Sequence, residues 1–215
     1  MKRLILAFAV AGVAAMPLVA QHQPDPDKKV AGGGTLPSGW KGRADGTATL
    51  AGVKVMPMGG GVHFVSGPAG IYYKLADKAS GAYEARATFT QMEPAAHPEA
   101  YGLIIGGSDL EGAGQKYTYF LIRQDGKYMI KRRSGDTTPT IADWTDNAAI
   151  KKADSSGKMS NTLAIDVGKD KVRFLVNGTE VSTADAAKVD TAGIAGLRIN
   201  HNLNVHVEGF AVKAR

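Results

Sequence analysis

YTYFLIRQDGKYMIKRR, residues 117–133, is the stretch that decides the fold. Two runs rich in aromatic and β-branched residues flank Gln124-Asp125-Gly126. Such runs favour strands, and an Asp-Gly pair between them favours a tight reversal of the chain. The stretch therefore predicts a β-hairpin.

The register of this hairpin decides which side chains share a face. A three-residue loop, with Gly126 in a left-handed bulge, places Ile122 opposite Tyr128 and Phe120 opposite Ile130, whereas a two-residue loop would pair Phe120 with a lysine. We expect the three-residue loop because it produces one continuous apolar face. The other face then carries Tyr117, Tyr119, Leu121, Arg123, Met129, Lys131 and Arg133.

Alternation with a period of two extends through most of the chain. Apolar and polar residues alternate over residues 83–90 and 162–167, and a third alternating run, 172–176, leads into the hairpin signal Asn177-Gly178. That turn predicts Val176 opposite Thr179 and Phe174 opposite Val181. Further strands are expected near residues 53–56, 61–65, 71–74, 101–106, 193–200 and 203–212. Only residues 148–153 and 184–188 show a helical signal, a turn or two in length.

The composition agrees with a protein made of strands and turns. The chain has 215 residues with 27 Gly, 7% aromatic residues and no Cys. The absence of Cys excludes disulfides, thiol catalysis and Cys-ligated metals. We predict an all-β fold, a two-sheet antiparallel jelly-roll sandwich in a single domain spanning residues 37–215.

The N-terminal residues resemble an export signal. Lys2-Arg3 precedes an apolar run that is too short for the roughly 20 residues of a membrane span, so residues 1–20 are expected to be a signal peptide. Cleavage is expected after Ala20, with a competing site after Ala15, and an uncleaved anchor is the alternative. Residues 21–36 are expected to be a flexible lead-in. The mature protein would be secreted or periplasmic, with no membrane span.

The net charge argues against nucleic acid as a partner. The formal charge is +6 for the whole chain, and loss of Lys2 and Arg3 reduces it to about +4. The only dense basic run is residues 127–133, which is short for a nucleic-acid surface.

Five ordered segments resemble a known group of proteins. They are AYGLIIGG (100–107), KYTYFLIRQDGKYMIKRR (116–133), TIADWT (140–145), NTLAIDVGKDKVRFLVNGTEV (161–181) and GIAGLRINHNLNVHVEGFAV (193–212). Together they resemble bacterial secreted domains with a concanavalin-like lectin/glucanase jelly roll, in particular the group labelled 3-keto-disaccharide hydrolase or laminin-G-like. The resemblance implies a protein that faces carbohydrate outside the cytoplasm. The Glu-x-Asp-x-Glu strand of family 16 glucanases on this fold is absent from the sequence.

Catalytic and metal-binding patterns are weak. Glu93 and Glu99 flank His97, and Asp109 lies two residues from Glu111, but neither spacing forces two carboxyl groups across a cleft. Calcium could be held by Asp109, Glu111 and loop carbonyls. The pair His201 and His206 is expected on opposite faces of one strand, so we predict no zinc site and no cofactor.

The polar-aromatic face of the first hairpin is the best candidate for a ligand site. Sugars stack on aromatic rings while charged and amide groups bond their hydroxyls. The candidate ligand-binding residues are Tyr117, Tyr119, Arg123, Lys131 and Arg133, extended by Tyr101 and Trp144 and, on the closing strand, by Asn204 and His206.

The sequence is compatible with three functions. The leading hypothesis is non-catalytic binding of carbohydrate or another extracytoplasmic polymer. The second is a glycoside hydrolase or lyase acting on (3-keto) disaccharides through acids such as Glu99, Asp109 or Glu208 with His206. The third is a structural or adhesive domain that binds protein. The face could also be an ordinary solvated sheet surface.

Overall fold

The computed structural model describes residues 25–215, and its secondary structure is almost entirely β. Short 3-10 helices at Leu50–Gly52 and Ala186–Lys188 are the helical elements of this part of the chain. The strands are β1 (Lys41–Ala44), β2 (Val53–Met58), β3 (Gly61–Ser66), β4 (Gly70–Ala79), β5 (Tyr83–Gln91), β6 (Ala100–Ser108), β7 (Lys116–Arg123), β8 (Lys127–Ser134), β9 (Thr140–Asp146), β10 (Met159–Val167), β11 (Lys171–Val176), β12 (Thr179–Asp185), β13 (Gly193–Ile199) and β14 (Asn204–Ala214).

The strands form two seven-stranded antiparallel sheets. The first sheet has the order β1-β4-β13-β6-β7-β8-β9, and the second has the order β12-β11-β10-β5-β14-β3-β2. Their inner faces enclose the main core, whose largest side chains include Phe64, Phe89, Phe120 and Phe174, all fully buried. The predicted all-β, two-sheet jelly-roll sandwich is confirmed. The sequence did not predict the edge strands β1 and β9.

The first hairpin has the expected register. Ile122 pairs with Tyr128 and Phe120 with Ile130, and Gly126 has a φ of +87° in the three-residue loop. Phe120 and its inward neighbours therefore pack into the main core. Tyr117 and Tyr119 on β7 point to the outer face, as predicted.

The second hairpin differs from the prediction by one residue. Val176 pairs with Thr179 as expected, but Phe174 pairs with Ser182 and not with Val181. A bulge between Phe174 and Leu175 causes the shift. A bulge inserts one unpaired residue, so a register extrapolated from the turn is wrong beyond it.

The lead-in is bound to the domain over its described residues. The Lys28 amide donates to Asn202 Oδ1 at 2.6 Å, and the Gly34 amide donates to the Val53 carbonyl at 3.0 Å. Leu36 packs against the main core. These contacts join residues 25–36 of the lead-in to the domain, and the flexibility of the lead-in stays a prediction. The predicted signal peptide lies outside the described residues. Between residues 25 and 215, none of the helices has the length and apolar character needed to cross a bilayer.

A second apolar cluster covers the outer face of the first sheet, the face turned away from the second sheet. Polar and charged groups border this cluster. Its buried members are Ile71, Tyr73, Ala100, Ile104, Leu110, Tyr117, Tyr119, Leu121 and Met129, with Trp144 and Ile194 packed against them. The first sheet is therefore apolar on both faces, which is unusual for an antiparallel sheet exposed on one side.

Candidate functional site

The outer face of the first sheet combines aromatic rings with arginine side chains. The arginines come from the edge strand β1 and from the inner strands β13, β7 and β8. We call this surface the tyrosine–arginine face, defined by Arg43, Asp45, Tyr117, Tyr119, Arg123, Lys131, Arg133, Trp144 and Arg198.

A partly buried ion pair lies at the centre of the tyrosine–arginine face. Arg198 on β13 donates through Nη1 to Asp45 Oδ1 at 3.2 Å and through Nη2 to Oδ2 at 2.5 Å. The Arg198 side chain is only 11% exposed. Its guanidinium carbon lies 5.5 Å from the Tyr119 ring centroid, and its Nη1 lies 3.5 Å from the Tyr117 hydroxyl. A two-point pair of this kind fixes the orientation of the guanidinium as well as its position.

The ionisation of this centre follows from its neighbours. Burial raises the pKa of Asp45, but the hydrogen bonds and charge of Arg198, together with Arg133 and Arg43, outweigh burial and leave the pKa below its usual value. Burial also raises the pKa of Tyr117 and of Tyr119. At neutral pH the face therefore presents a carboxylate, charged guanidinium groups and neutral phenols that can donate or accept hydrogen bonds.

Two further arginines border the pair and are bound by backbone carbonyls. Arg43 Nη1 donates to the Leu110 and Gly112 carbonyls in the loop after β6. Arg133 Nε donates to the Gly135 carbonyl at 2.6 Å. Neither guanidinium forms a salt bridge with a carboxylate of residues 25–215.

At the β9 edge of the tyrosine–arginine face, Trp144 provides an aromatic surface in addition to Tyr117 and Tyr119. Arg123 lies over Trp144, with 4.4 Å between the guanidinium carbon and the ring centroid, and its Nε donates to Asp125 Oδ1 at 2.8 Å. Lys131 pairs across the strands with Tyr119. Trp144 on the edge strand β9 thus extends the tyrosine–arginine face, as the sequence indicated.

Three predicted residues lie elsewhere. Tyr101 points inward and is fully buried between the sheets, where its ring stacks on Phe89 at 5.4 Å between centroids. Asn204 and His206 lie on β14 of the second sheet, on the face opposite to the buried Val205 and Val207. The His206 ring lies 6.2 Å from that of His63. The expectation that these three residues extend the tyrosine–arginine face is therefore wrong.

The acids considered for catalysis do not converge. Glu99 and Asp109 flank opposite ends of β6, and a strand of that length separates them by roughly 30 Å. The Asp109 carboxylate accepts a hydrogen bond from the Gly114 amide at 3.0 Å within its own loop. Glu208 lies on β14 in the second sheet. Two carboxyl groups that cleave a glycosidic bond are separated by only about 5 to 9.5 Å.

The proposed calcium ligands are also engaged separately. Glu111 accepts a hydrogen bond from Lys41 Nζ at 2.7 Å, while Asp109 binds its own loop. A different group does come together: ligand atoms of Asp25, Glu99 and His201 lie within 4.8 Å of one another. These three residues could hold a metal ion. This group was not predicted from the sequence, because His201 was expected in a strand, whereas it lies in the turn before β14.

The central ion pair was also not predicted from the sequence. Arg198 lies in GIAGLRI, where Ala195, Leu197 and Ile199 point into the main core. The period-two alternation therefore places Arg198 outward, and this signal was available. Asp45 follows the short edge strand β1, which no pattern indicated.

Comparison with known proteins gives a fold and no family. No protein-family model matches the chain, and no curated protein sequence matches it. Among solved structures, the carbohydrate binding module CBM66 from Bacillus subtilis has a TM-score of 0.61 at 10% identity, covering 87% of this chain and 100% of that one. A protein of unknown function with a galectin-like fold, also from Bacillus subtilis, has a TM-score of 0.58 at 12% identity, covering 81% and 89%.

The third comparison is with an enzyme of the same architecture. Bacillus licheniformis beta-glucanase has a TM-score of 0.56 at 12% identity, covering 83% of this chain and 94% of that one. These likenesses and the two seven-stranded sheets show that the chain has the concanavalin-like lectin/glucanase jelly-roll fold. At such low identity they concern the fold, and activity has to be argued from the site.

Proposed function

We propose that this protein binds carbohydrate on the tyrosine–arginine face without cleaving it. The observation that carries the proposal is the Arg198–Asp45 pair, held rigidly beside the rings of Tyr117 and Tyr119. Aromatic rings accept the apolar faces of sugars, and fixed charged groups bond their hydroxyls. A carbohydrate binding module shares the fold, which supports this ligand class.

Binding without turnover is favoured by the positions of the acids. Glu99 is hydrogen bonded to His201 at 2.8 Å, Asp109 is bound within its own loop, and the two are far apart. We place the protein in a secreted or periplasmic compartment because of the N-terminal pattern of its sequence, and carbohydrate polymers are abundant there.

The experiment uses a glycan array with the protein beginning at Gln21, followed by a reducing-end assay on each glycan that binds. Trp144→Ala and Arg123→Ala remove one aromatic surface and one charged group at the edge of the face, where truncation disturbs the core least. Arg86→Gln on the exposed outer side of the second sheet is the matched control. We expect both test variants to lose retention on the array while Arg86→Gln keeps it.

Three outcomes contradict the proposal. Unchanged retention by both test variants would exclude this face as the site. The absence of binding to any glycan on the array would favour the adhesive, protein-binding alternative. Release of reducing ends from a bound glycan would show that the protein is an enzyme.

A further inference from the structure

We propose that the glycan bound by the tyrosine–arginine face is acidic, and that Arg43 and Arg133, beside the Arg198–Asp45 pair, bind its carboxylate or sulfate groups. This inference rests on the proposed carbohydrate binding and adds the chemical class of the ligand.

The fold brings the three arginines together from distant parts of the chain. Arg43 and Arg198 both pair with Ile71 of β4, one from each side, so their backbones lie about 10 Å apart on the same face. Arg133 pairs with Tyr117, whose hydroxyl lies 3.5 Å from Arg198 Nη1. Three guanidinium groups therefore surround one hydroxyl and one carboxylate.

The cluster has more positive charge than its protein neighbours compensate. Asp45 is the only carboxylate of residues 25–215 that forms a salt bridge with any of the three arginines, and both of its oxygens are occupied by Arg198. Arg43 and Arg133 each use one nitrogen on backbone carbonyls. Since a guanidinium has five N–H donors, most donors of these two side chains remain free for a ligand.

Arg198 adds a cationic group with an unsatisfied donor to the cluster. Its Nε is buried and has no hydrogen-bond partner in the described part of the chain. A partly buried cationic cluster with unfilled donors is costly unless an anion compensates it, and planar carboxylate and sulfate oxygens match the guanidinium fork.

Several cationic side chains at other places on the surface are matched with acids. Such pairs neutralise the surface locally and leave no excess for an anionic ligand. They include Lys41 with Glu111, Lys171 with Asp185, Arg173 with Asp166, and Arg215 with Glu84. The tyrosine–arginine face differs from them because its arginines outnumber its carboxylates next to aromatic rings. That combination suits a sugar ring that carries a negative charge.

The test measures affinity for matched pairs of polymers by affinity electrophoresis and calorimetry. Polygalacturonate is compared with its carboxyl-reduced form, and dextran sulfate with dextran, so that only the charge differs within a pair. We expect at least one acidic polymer to bind at least about tenfold more tightly than its neutral partner. Binding of polygalacturonate alone would identify a carboxylate ligand, and binding of dextran sulfate alone a sulfate ligand.

Variants localise the effect to the cluster. Arg133→Gln should weaken binding of the acidic polymer about tenfold, since a charge-assisted hydrogen bond is lost, and should weaken binding of the neutral partner much less. Arg43→Gln should act in the same direction, with thermal midpoints confirming that both variants fold. Arg86→Gln removes the same charge from the second sheet and should change nothing.

Several results would overturn the inference and leave the proposed function intact. One is binding of neutral glycans, lost in Trp144→Ala, without any preference for the acidic partner. Another is equal weakening by Arg86→Gln and Arg133→Gln, which would mean adsorption of polyanions to overall positive charge. The absence of binding to any glycan, neutral or acidic, would instead contradict the proposed function itself.

Discussion

Asp45→Ala is predicted to destabilise the fold because it leaves the Arg198 guanidinium unpaired. Removing one partner of a fully buried ion pair costs about 3–5 kcal/mol. Arg198 is 11% exposed, but Asp45 is 38% exposed, so solvent reaches the pair and screens part of the interaction. We therefore expect the free energy of unfolding to fall by about 2 kcal/mol at pH 7, which for a domain of this size lowers the thermal midpoint by about 4–8 °C.

The same variant predicts a dependence on pH with a definite sign. The pKa of Asp45 is lower in the folded protein than its unfolded value of about 3.9, so the pair stabilises the fold above that value and loses its effect as the pH falls through the folded pKa. The difference in unfolding free energy between the wild type and Asp45→Ala should therefore shrink steadily from pH 5 to pH 3.

Urea denaturation at a series of pH values measures this difference directly. Asp146→Ala is the control, because Asp146 is 69% exposed and 3.6 Å from Lys127, and an exposed pair contributes less than about 1 kcal/mol. A loss below about 0.5 kcal/mol for Asp45→Ala at pH 7 would refute the assignment of a buried, energetically important pair. An equal loss at pH 3 and pH 7 would refute its electrostatic origin.

Three further predictions concern the core, the lead-in and Tyr101, which lies in the core and not on the tyrosine–arginine face. Phe120→Ala should lower the free energy of unfolding by about 3–5 kcal/mol in urea, since Phe120 is fully buried 5.4 Å from the Phe174 ring; a loss under about 1 kcal/mol would contradict the packing. Asn202→Ala removes the hydrogen bond to the Lys28 amide, so limited trypsin digestion at Lys28 should accelerate about tenfold, and an unchanged rate would show that the lead-in is held by other contacts. Tyr101→Phe removes a buried hydroxyl that has no hydrogen-bond partner, so it should raise the free energy of unfolding by about 1 kcal/mol without changing glycan affinity. Reduced affinity would show that Tyr101 contributes to glycan binding.

The fold was predictable because local signals agreed along the chain. The first hairpin was placed correctly by Gly126 and by the alternation on both sides of it, and the same alternation put Tyr117, Tyr119 and Arg133 on one face. In the second hairpin the turn was correct but the bulge near Phe174 was not visible, since a bulge depends on packing beyond the turn.

The site was predictable only in part because it depends on sheet order. Asp45 and Arg198 are 153 positions apart and meet only because β4 lies between β1 and β13. The outward orientation predicted for Tyr101 was wrong because residues 100–107 are all apolar or glycine. Without an alternation of apolar and polar residues, the sequence does not show which of these side chains point into the core. His206 was correctly expected to point away from the core, but the sequence did not show that its strand belongs to the second sheet.

The most direct test of the central claim is an NMR titration of the isotope-labelled protein with a glycan that binds on the array. We expect changes in amide chemical shift to concentrate on β7, β8 and β13, around Tyr119 and Arg198. The outer face of the second sheet should show no such changes. Shifts that concentrate on β3 and β14, around His63 and His206, would contradict it.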